Sequence, residues 1–382
     1  MNFNFRLIVL VAAEFLCVAA SGTELREFVN PYAAVDWEKA TPYYANFHTH
    51  TTYSDGEFTP HEAIDAYHKL GVQILALTDH DNDHYRARPA ILYPWTELSS
   101  IYEEIHEAPN PSWRRQNQRY GDISSPWQNR NPDALGMLSI PGTEISLTHH
   151  IGSLFCDFAG NTSSEQTALK EIGKRGGLAI FLHPGRYEMG PEWYIDFYRQ
   201  HPHLIGLEIF NQNDRCPGDR DLWDRILHHL MPDRPVWGFA GDDMHTAEQL
   251  GWNAQIFLLP ELTADTVRAA LESGAFFLYR PRIQMALPSP PRLRIVASKK
   301  CLRLELEDRT KVVRWITYNP ETERSEVIHQ EAELAITNVP PSSVFVRASL
   351  ANSDGTIYTQ PFGIHTQPFR SAGSLHGNEV HK

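Results

Sequence analysis

The feature that most constrains this chain is an alternation. From about Tyr43 to Tyr279, short apolar runs that read as strands take turns with helical segments. Tyr44–Phe47, Val72–Leu77, Leu178–Leu182, Leu204–Phe210 and Val236–Ala240 are strand-like, whereas Ser164–Arg175, Glu192–Arg199 and Asp219–Leu230 are helical. Thr59–Leu70 is a further helix with clear punctuation: Thr59 as N-cap, Pro60 in the first turn, Glu62 completing a capping box and Gly71 as the stop. Repetition on this scale implies an α/β chain of parallel strands with crossover helices. A TIM-like barrel of such units fits the length and would gather its chemistry at the C-terminal ends of the strands.

Metal-ligand residue types stand at those strand ends. His48-Thr49-His50 closes the first strand, and Asp55 follows on a turn. His80 lies within Thr78-Asp79-His80-Asp81, Glu144 is followed by His149-His150, His183 closes the Leu178–Leu182 strand, and Asp243-Met244-His245 follows Val236–Ala240. The period of two along an extended chain puts both imidazoles of a His-x-His pair on one face. Neutral imidazoles suit zinc, iron or manganese better than magnesium. A single His-x-His is weak evidence. Recurrence after strand after strand predicts one polynuclear site and is not accounted for by buried, hydrogen-bonded histidines.

The remaining sequence bounds the organisation. The chain has 382 residues, enough for two domains. Net charge is −13, with no Lys/Arg run longer than a pair. This balance argues against a protein that tracks a nucleic-acid backbone, so no nucleic-acid partner is expected. Residues 1–20 read as an export signal, with Arg6, apolar stretches around Leu7–Ala13 and Phe15–Ala20, and small residues at Val18-Ala19-Ala20. A periplasmic or extracellular location follows, with no membrane span once the signal is removed. Cys156, Cys216 and Cys301 are too scattered for a disulfide framework. Residues 21–285 form the expected barrel, interrupted at 85–135 by a long insertion rich in Trp, Arg and Pro that reads as a lid or substrate wall. Pro288, Pro290 and Pro291 mark a linker. Short alternating runs over 286–366 then suggest a small all-β, sandwich-like module that binds glycan, cell wall or protein, or braces the barrel. Residues 367–382 form a polar tail.

Taken in order, His48-x-His50 with Ser54-Asp55-Gly56, Thr78-Asp79-His80, Gly142-x-Glu144, His150-Ile151-Gly152, His183-Pro184-Gly185-Arg186 and Gly241-Asp242-Asp243-x-His245 resemble the motif series of the PHP (polymerase and histidinol phosphatase) superfamily. The resemblance covers about Ala45 to His245, and its specificity lies in the series. It implies a distorted (β/α)7 barrel with two or three divalent metals (zinc, manganese or iron). By the same resemblance, His48, His50, Glu144 and Asp243 would hold one metal, and Asp55, His80 and His245 a second. Glu144 would bridge to a third held by His150 and His183, with His149 the other choice for His150. Asp55 stands where the histidinol-phosphatase-like branch has His, which points to the phosphoesterase branch instead. Glu208 and Asn211 would support the ligands.

The chemistry expected of such a site is hydrolysis of a phosphate ester, more readily a monoester, by a metal-bridged hydroxide. The substrate would be a small phosphorylated molecule. Arg186 offers a planar fork for phosphate oxygens. Asp79 would position the hydroxide, and His245 or Asp243 would protonate the leaving alcohol. Phosphodiester or nuclease activity and amidohydrolase-like attack on a carbonyl use the same nucleophile. A non-catalytic, metal-dependent binding protein is the alternative of another class.

Overall fold

The computed structural model describes residues 25–81, 130–158, 160, 162–285, 287, 293–306 and 312–367. The export signal, the tail beyond Gln367 and most of the 85–135 insertion lie outside these residues. Strands β1 (Leu25–Val29) and β2 (Thr41–Asn46) precede helix α1 (Pro60–Leu70) and β3 (Val72–Leu75). Then come α2 (Pro132–Leu135), β4 (Leu138–Ser139), β5 (Gly142–Ile145), β6 (Ile151–Leu154), α3 (Glu165–Lys174), β7 (Leu178–Phe181) and α4 (Pro191–Gln200). β8 (Leu204–Asn211), α5 (Asp219–Leu230), β9 (Trp237–Gly241), β10 (Ala254–Leu259), α6 (Ala264–Ser273) and β11 (Phe276–Pro281) follow. The C-terminal region holds β12 (Leu293–Ala297), β13 (Cys301–Leu306), β14 (Val312–Asn319), β15 (Arg324–His329), β16 (Glu333–Ala335), β17 (Phe345–Ala351), β18 (Gly355–Tyr358) and β19 (Phe362–Gln367).

Local chemistry explains α1. Glu62 accepts a hydrogen bond from the Thr59 backbone N–H at 2.8 Å, and Gly71 ends the helix at a φ of 83° that a side chain would resist. Its buried face is Ala63, Ile64 and Tyr67. Tyr67 ties the helix to the strand ends, accepting from Thr49 Oγ1 at 3.0 Å and donating to Asp242 Oδ2 at 3.1 Å.

The strands are mixed rather than all parallel. β2 and β3, β3 and β4, β7 and β8, and β8 and β9 pair in parallel, as the alternation predicts. β6 runs antiparallel to both β5 and β7, and β10 runs antiparallel to β2. The reason is connection length: Ser146–His150 is too short for a helical crossover, so β6 turns back on β5. Two isolated parallel bridges, His80 with Glu144 and Thr49 with Met244, join the β2–β3 pair to the two edges of the β5–β9 sheet. Pairing therefore runs β2, β3, β5, β6, β7, β8, β9 and returns to β2. Every residue of β8 and β9 is buried, as expected of parallel strands covered on both faces.

β14, β15, β17, β18 and β19 continue this framework instead of standing apart beyond the Pro-rich segment, while β12, β13 and β16 form a small sheet of their own. β18 pairs antiparallel with β11, and β1 from the N-terminal end pairs with β19. Leu293, Ile295, Trp315 and Phe362 share one apolar cluster with Tyr32, Tyr44, Ile64 and Tyr67. A buried ion pair fastens the same junction. Arg347 on β17 donates from Nε and Nη2 to the two oxygens of Asp224 on α5, both at 2.7 Å, and lies 5.3 Å over the Trp223 ring. Arg347 and Asp224 are 3% and 0% exposed, so neither charge reaches water. Arg347→Leu strands the Asp224 carboxylate and is expected to lower folding stability by about 3–5 kcal/mol in urea denaturation. A loss under about 1 kcal/mol would mean that the pair does not hold the junction.

Candidate metal centre

The two bridges and the β2–β3 pairing bring the ligand types together. Three groups have ligand atoms within 4.8 Å of one another: His48, His50, Glu144 and Asp243; His50, Asp55, His80 and His245; and His80, Glu144 and His150. In the first, His48 Nε2 and His50 Nε2 lie 3.1 and 3.2 Å from Asp243 Oδ1, and 3.5 and 3.0 Å from Glu144 Oε2. A tetrahedral zinc with bonds of about 2.0–2.1 Å sets its ligands roughly 3.3 Å apart, so this spacing fits a cation. His48 Nε2, His50 Nε2 and Glu144 Oε2 are buried without a hydrogen-bond partner among the described residues. Orphaned lone pairs converging on one point are costly unless something positive sits between them.

In the second group, Asp55 Oδ1 lies 3.2 Å from His245 Nε2 and 3.5 Å from His80 Nε2. His50 approaches Asp55 only through Nδ1, at 3.7 Å. A neutral imidazole has one lone pair. With His50 Nε2 turned to the first group, Asp55, His80 and His245 remain for the second. His80 likewise meets Glu144 through Nδ1, the nitrogen that also faces Ser146 Oγ. Setting His80 aside leaves Glu144 and His150 of the third group, and His183, outside that group, also lies beside Glu144. Glu144 Oε1 is 2.6 Å from His150 Nδ1 and 3.1 Å from His183 Nε2. Glu144 thus divides its oxygens, Oε2 toward the first group and Oε1 toward the third.

Outer contacts aim the rings. His48 Nδ1 is 2.8 Å from Glu208 Oε1, His50 Nδ1 is 3.3 Å from Ser54 Oγ, and His245 Nδ1 is 2.9 Å from the Asp243 carbonyl. Each contact leaves Nε2 as the lone-pair nitrogen facing the ligand cluster. Glu208 also accepts from the His183 backbone N–H at 2.9 Å and from Asn211 Nδ2 at 3.0 Å. Gly241 permits this arrangement, because a Cβ there would collide with the Glu208 carboxylate. Asp242 accepts from the backbone of Gly251, Trp252 and Asn253, and Asp243 turns toward the ligands at a φ of 47°.

The charges reflect this crowding. Burial opposes protonation of His48, but the carboxylates of Glu208, Asp243 and Glu144 outweigh it and hold its pKa well above the ordinary value. Burial alone would raise Glu144; His150, His80 and His48 instead hold it well below the usual carboxylate range. The cluster is an anionic well that favours cations.

Two expectations are sharpened and one is corrected. Of the neighbouring histidines, His150 faces Glu144, whereas His149 stacks on Tyr187 at 4.0 Å and meets the Tyr194 hydroxyl at 2.9 Å. Burial pushes His149 down to about 3, keeping it neutral. Arg186 lines the same cavity as Asp55, His80, His150 and His245. Asp79 does not line it. Its carboxylate accepts from the Thr51 N–H at 2.7 Å, from Thr51 Oγ1 at 2.8 Å and from Ser54 Oγ at 2.6 Å. It anchors the 51–54 turn and backs His50 through Ser54, so its geometry does not suit positioning a nucleophile. The sequence reading missed Ser146, Gln212, Arg215 and Gln249, which also line the cavity. Ser146, Gln212 and Arg215 sit in loops and Gln249 ends a short 3-10 turn, where residue type carries no periodic signal.

Glu208→Gln is expected to weaken metal binding by roughly 10–100-fold, because the anionic acceptor on His48 Nδ1 is lost. Chelator competition would read this, and unchanged affinity would show that Glu208 does not orient the ligand.

Comparison with known proteins places this geometry. Residues 46–113 match the PHP domain family model. The 5′-3′ exoribonucleases Rnm of Escherichia coli and Salmonella typhimurium are each 25% identical over 255 residues, spanning 52% of this chain and 84% of theirs. A crystal structure of a two-domain protein from Bacteroides vulgatus, containing a predicted PHP-like metal-dependent phosphoesterase, aligns at 16% identity with a TM-score of 0.46. That alignment covers 90% of this chain and 100% of the other. The PHP domain match thus falls on the residues that open the ligand series, His48, His50, Asp55 and His80.

Proposed function

We propose that this protein hydrolyses phosphate monoesters at a site holding two or three divalent metals. The observation that carries the reading is the division of the Glu144 carboxylate between two ligand groups, so that this residue would serve more than one cation of a single centre. Such cations, when bound, lower the pKa of a coordinated water and offset phosphoryl charge. The chain's own residues do the rest. Arg186 meets phosphate oxygens in the cavity, and the outer contacts of Glu208 and Ser54 hold the imidazoles in place. His245 lines the cavity, but with Nδ1 on the Asp243 carbonyl and Nε2 among the ligands it holds no proton for the departing oxygen, and Asp243 is buried among the same ligands, so that proton would come from solvent in the cavity.

The return of strand pairing to β2 supports reading the PHP portion as a distorted seven-stranded barrel. We read the C-terminal strands as its brace, supported by the shared apolar cluster and the Arg347–Asp224 pair. The N-terminal apolar stretch supports export to a periplasmic or extracellular compartment. Zinc, manganese and iron all suit the donor set. Exonucleolytic cleavage of diesters is the second reading. The Rnm relatives favour it, and the net charge of −13 argues against a long nucleic-acid track.

The test is phosphate release from a monoester and a diester by the metal-loaded protein beside His48→Ala. Stripping with a chelator should abolish the wild-type activity and re-addition of metal should restore it, while His48→Ala stays inactive. Two or more bound metals with no turnover above the mutant on either ester would remove the phosphoesterase reading.

A further inference from the structure

Two guanidinium groups, not one, face the space above the metal ligands. The cavity there has a volume of about 540 Å³ and is lined by Arg186 and Arg215 as well as by the ligands. Arg186 ends the short turn Pro184–Arg186 that follows His183, and Arg215 lies in the loop after β8. The two loops touch: a Cβ on Gly185 would lie 2.5 Å from Cys216 Cβ. The arginines therefore rise from adjoining pieces of backbone.

The Arg215 loop is held firmly. Asp214 accepts from Arg220 Nη1 at 2.7 Å and Nη2 at 3.2 Å, and its Oδ2 lies 2.7 Å from Arg280 Nη1. Arg280 Nη2 also donates to Asn213 Oδ1 at 3.1 Å, and both arginines lie over the Phe210 ring. Gln212 and Asp214 are held at positive φ, 49° and 54°, a conformation that persists in residues other than glycine where the surroundings dictate it. Arg215 itself is left over. Its Nη1 is 4.0 Å from Asp243 Oδ2, too far for a hydrogen bond, and that oxygen already accepts from Gln212 Nε2 at 3.1 Å. Among the described residues, neither the Arg186 nor the Arg215 guanidinium makes a hydrogen bond.

Resting on the phosphoesterase reading above, we propose that Arg215 pairs with Arg186 to grip a terminal phosphoryl group and that this pair sets a preference for monoesters over diesters. A monoester carries three non-bridging oxygens and close to two negative charges near neutral pH, whereas a diester offers two oxygens and one charge. Two planar forks match the first and leave donors idle against the second.

The experiment uses the metal-loaded full chain as wild type, Arg215→Gln and Arg215→Lys. Three quantities are measured: bound metal, affinity for inorganic phosphate, and kcat/KM on a monoester and a diester. Arg215→Gln should weaken phosphate binding by about 10-fold or more. It should lower monoester kcat/KM by a similar factor and diester kcat/KM by under about 3-fold, with metal content unchanged. Arg215→Lys should fall between, since it keeps the charge and loses the fork. Wild-type phosphate affinity in Arg215→Gln, equal losses on both esters, or loss of metal from that variant would each overturn the proposal. If wild type turns over neither ester, the activity assignment fails separately, and phosphate affinity still decides whether Arg215 binds the anion.

Discussion

The buried carboxylate of Glu144 is the interaction on which the rest of this structure depends. Fully shielded from water, it faces His48, His50 and His80 with one oxygen and His150 and His183 with the other. A charge in that position is tolerable only when matched by positive partners with good geometry. Its backbone is tied through the His80–Glu144 bridge to the chain that follows β3, so the pairing that closes the fold also sets the Glu144 position. Fold and site are in this sense one constraint.

Around that centre, the protein spends many polar contacts on orientation. Glu208, Ser54 and the Asp243 carbonyl each occupy one imidazole nitrogen and leave the other facing inward. Asp79 belongs to this supporting layer, acting on His50 through the Ser54 hydroxyl. A residue beside a ligand in sequence need not share its cavity. Thr78-Asp79-His80 follows a strand, where consecutive side chains point to opposite faces, so Asp79 turns away as His80 turns in.

The C-terminal strands show how a region that looks separable in sequence can be continuous in space. Their alternating burial was legible along the chain: β12 and β14 alternate buried and exposed residues. Their partners were not. β18 pairs with β11 across more than seventy residues, and β1 pairs with β19 across more than three hundred. Such pairings depend on complementary edges brought together by chain closure, which no local pattern records.

By itself, the sequence determined the helix caps, the residue types suited to a transition metal, their placement after strands and the cationic fork at Arg186. These are local properties, written in propensity, period and side-chain chemistry. Tertiary structure alone decided that β5 to β7 run antiparallel, that His150 and not His149 meets Glu144, that Asp79 anchors a turn, and that Arg215 joins Arg186 at the cavity. Each of these depends on distances between residues remote in the chain, set by which strands pair and how loops pack against one another.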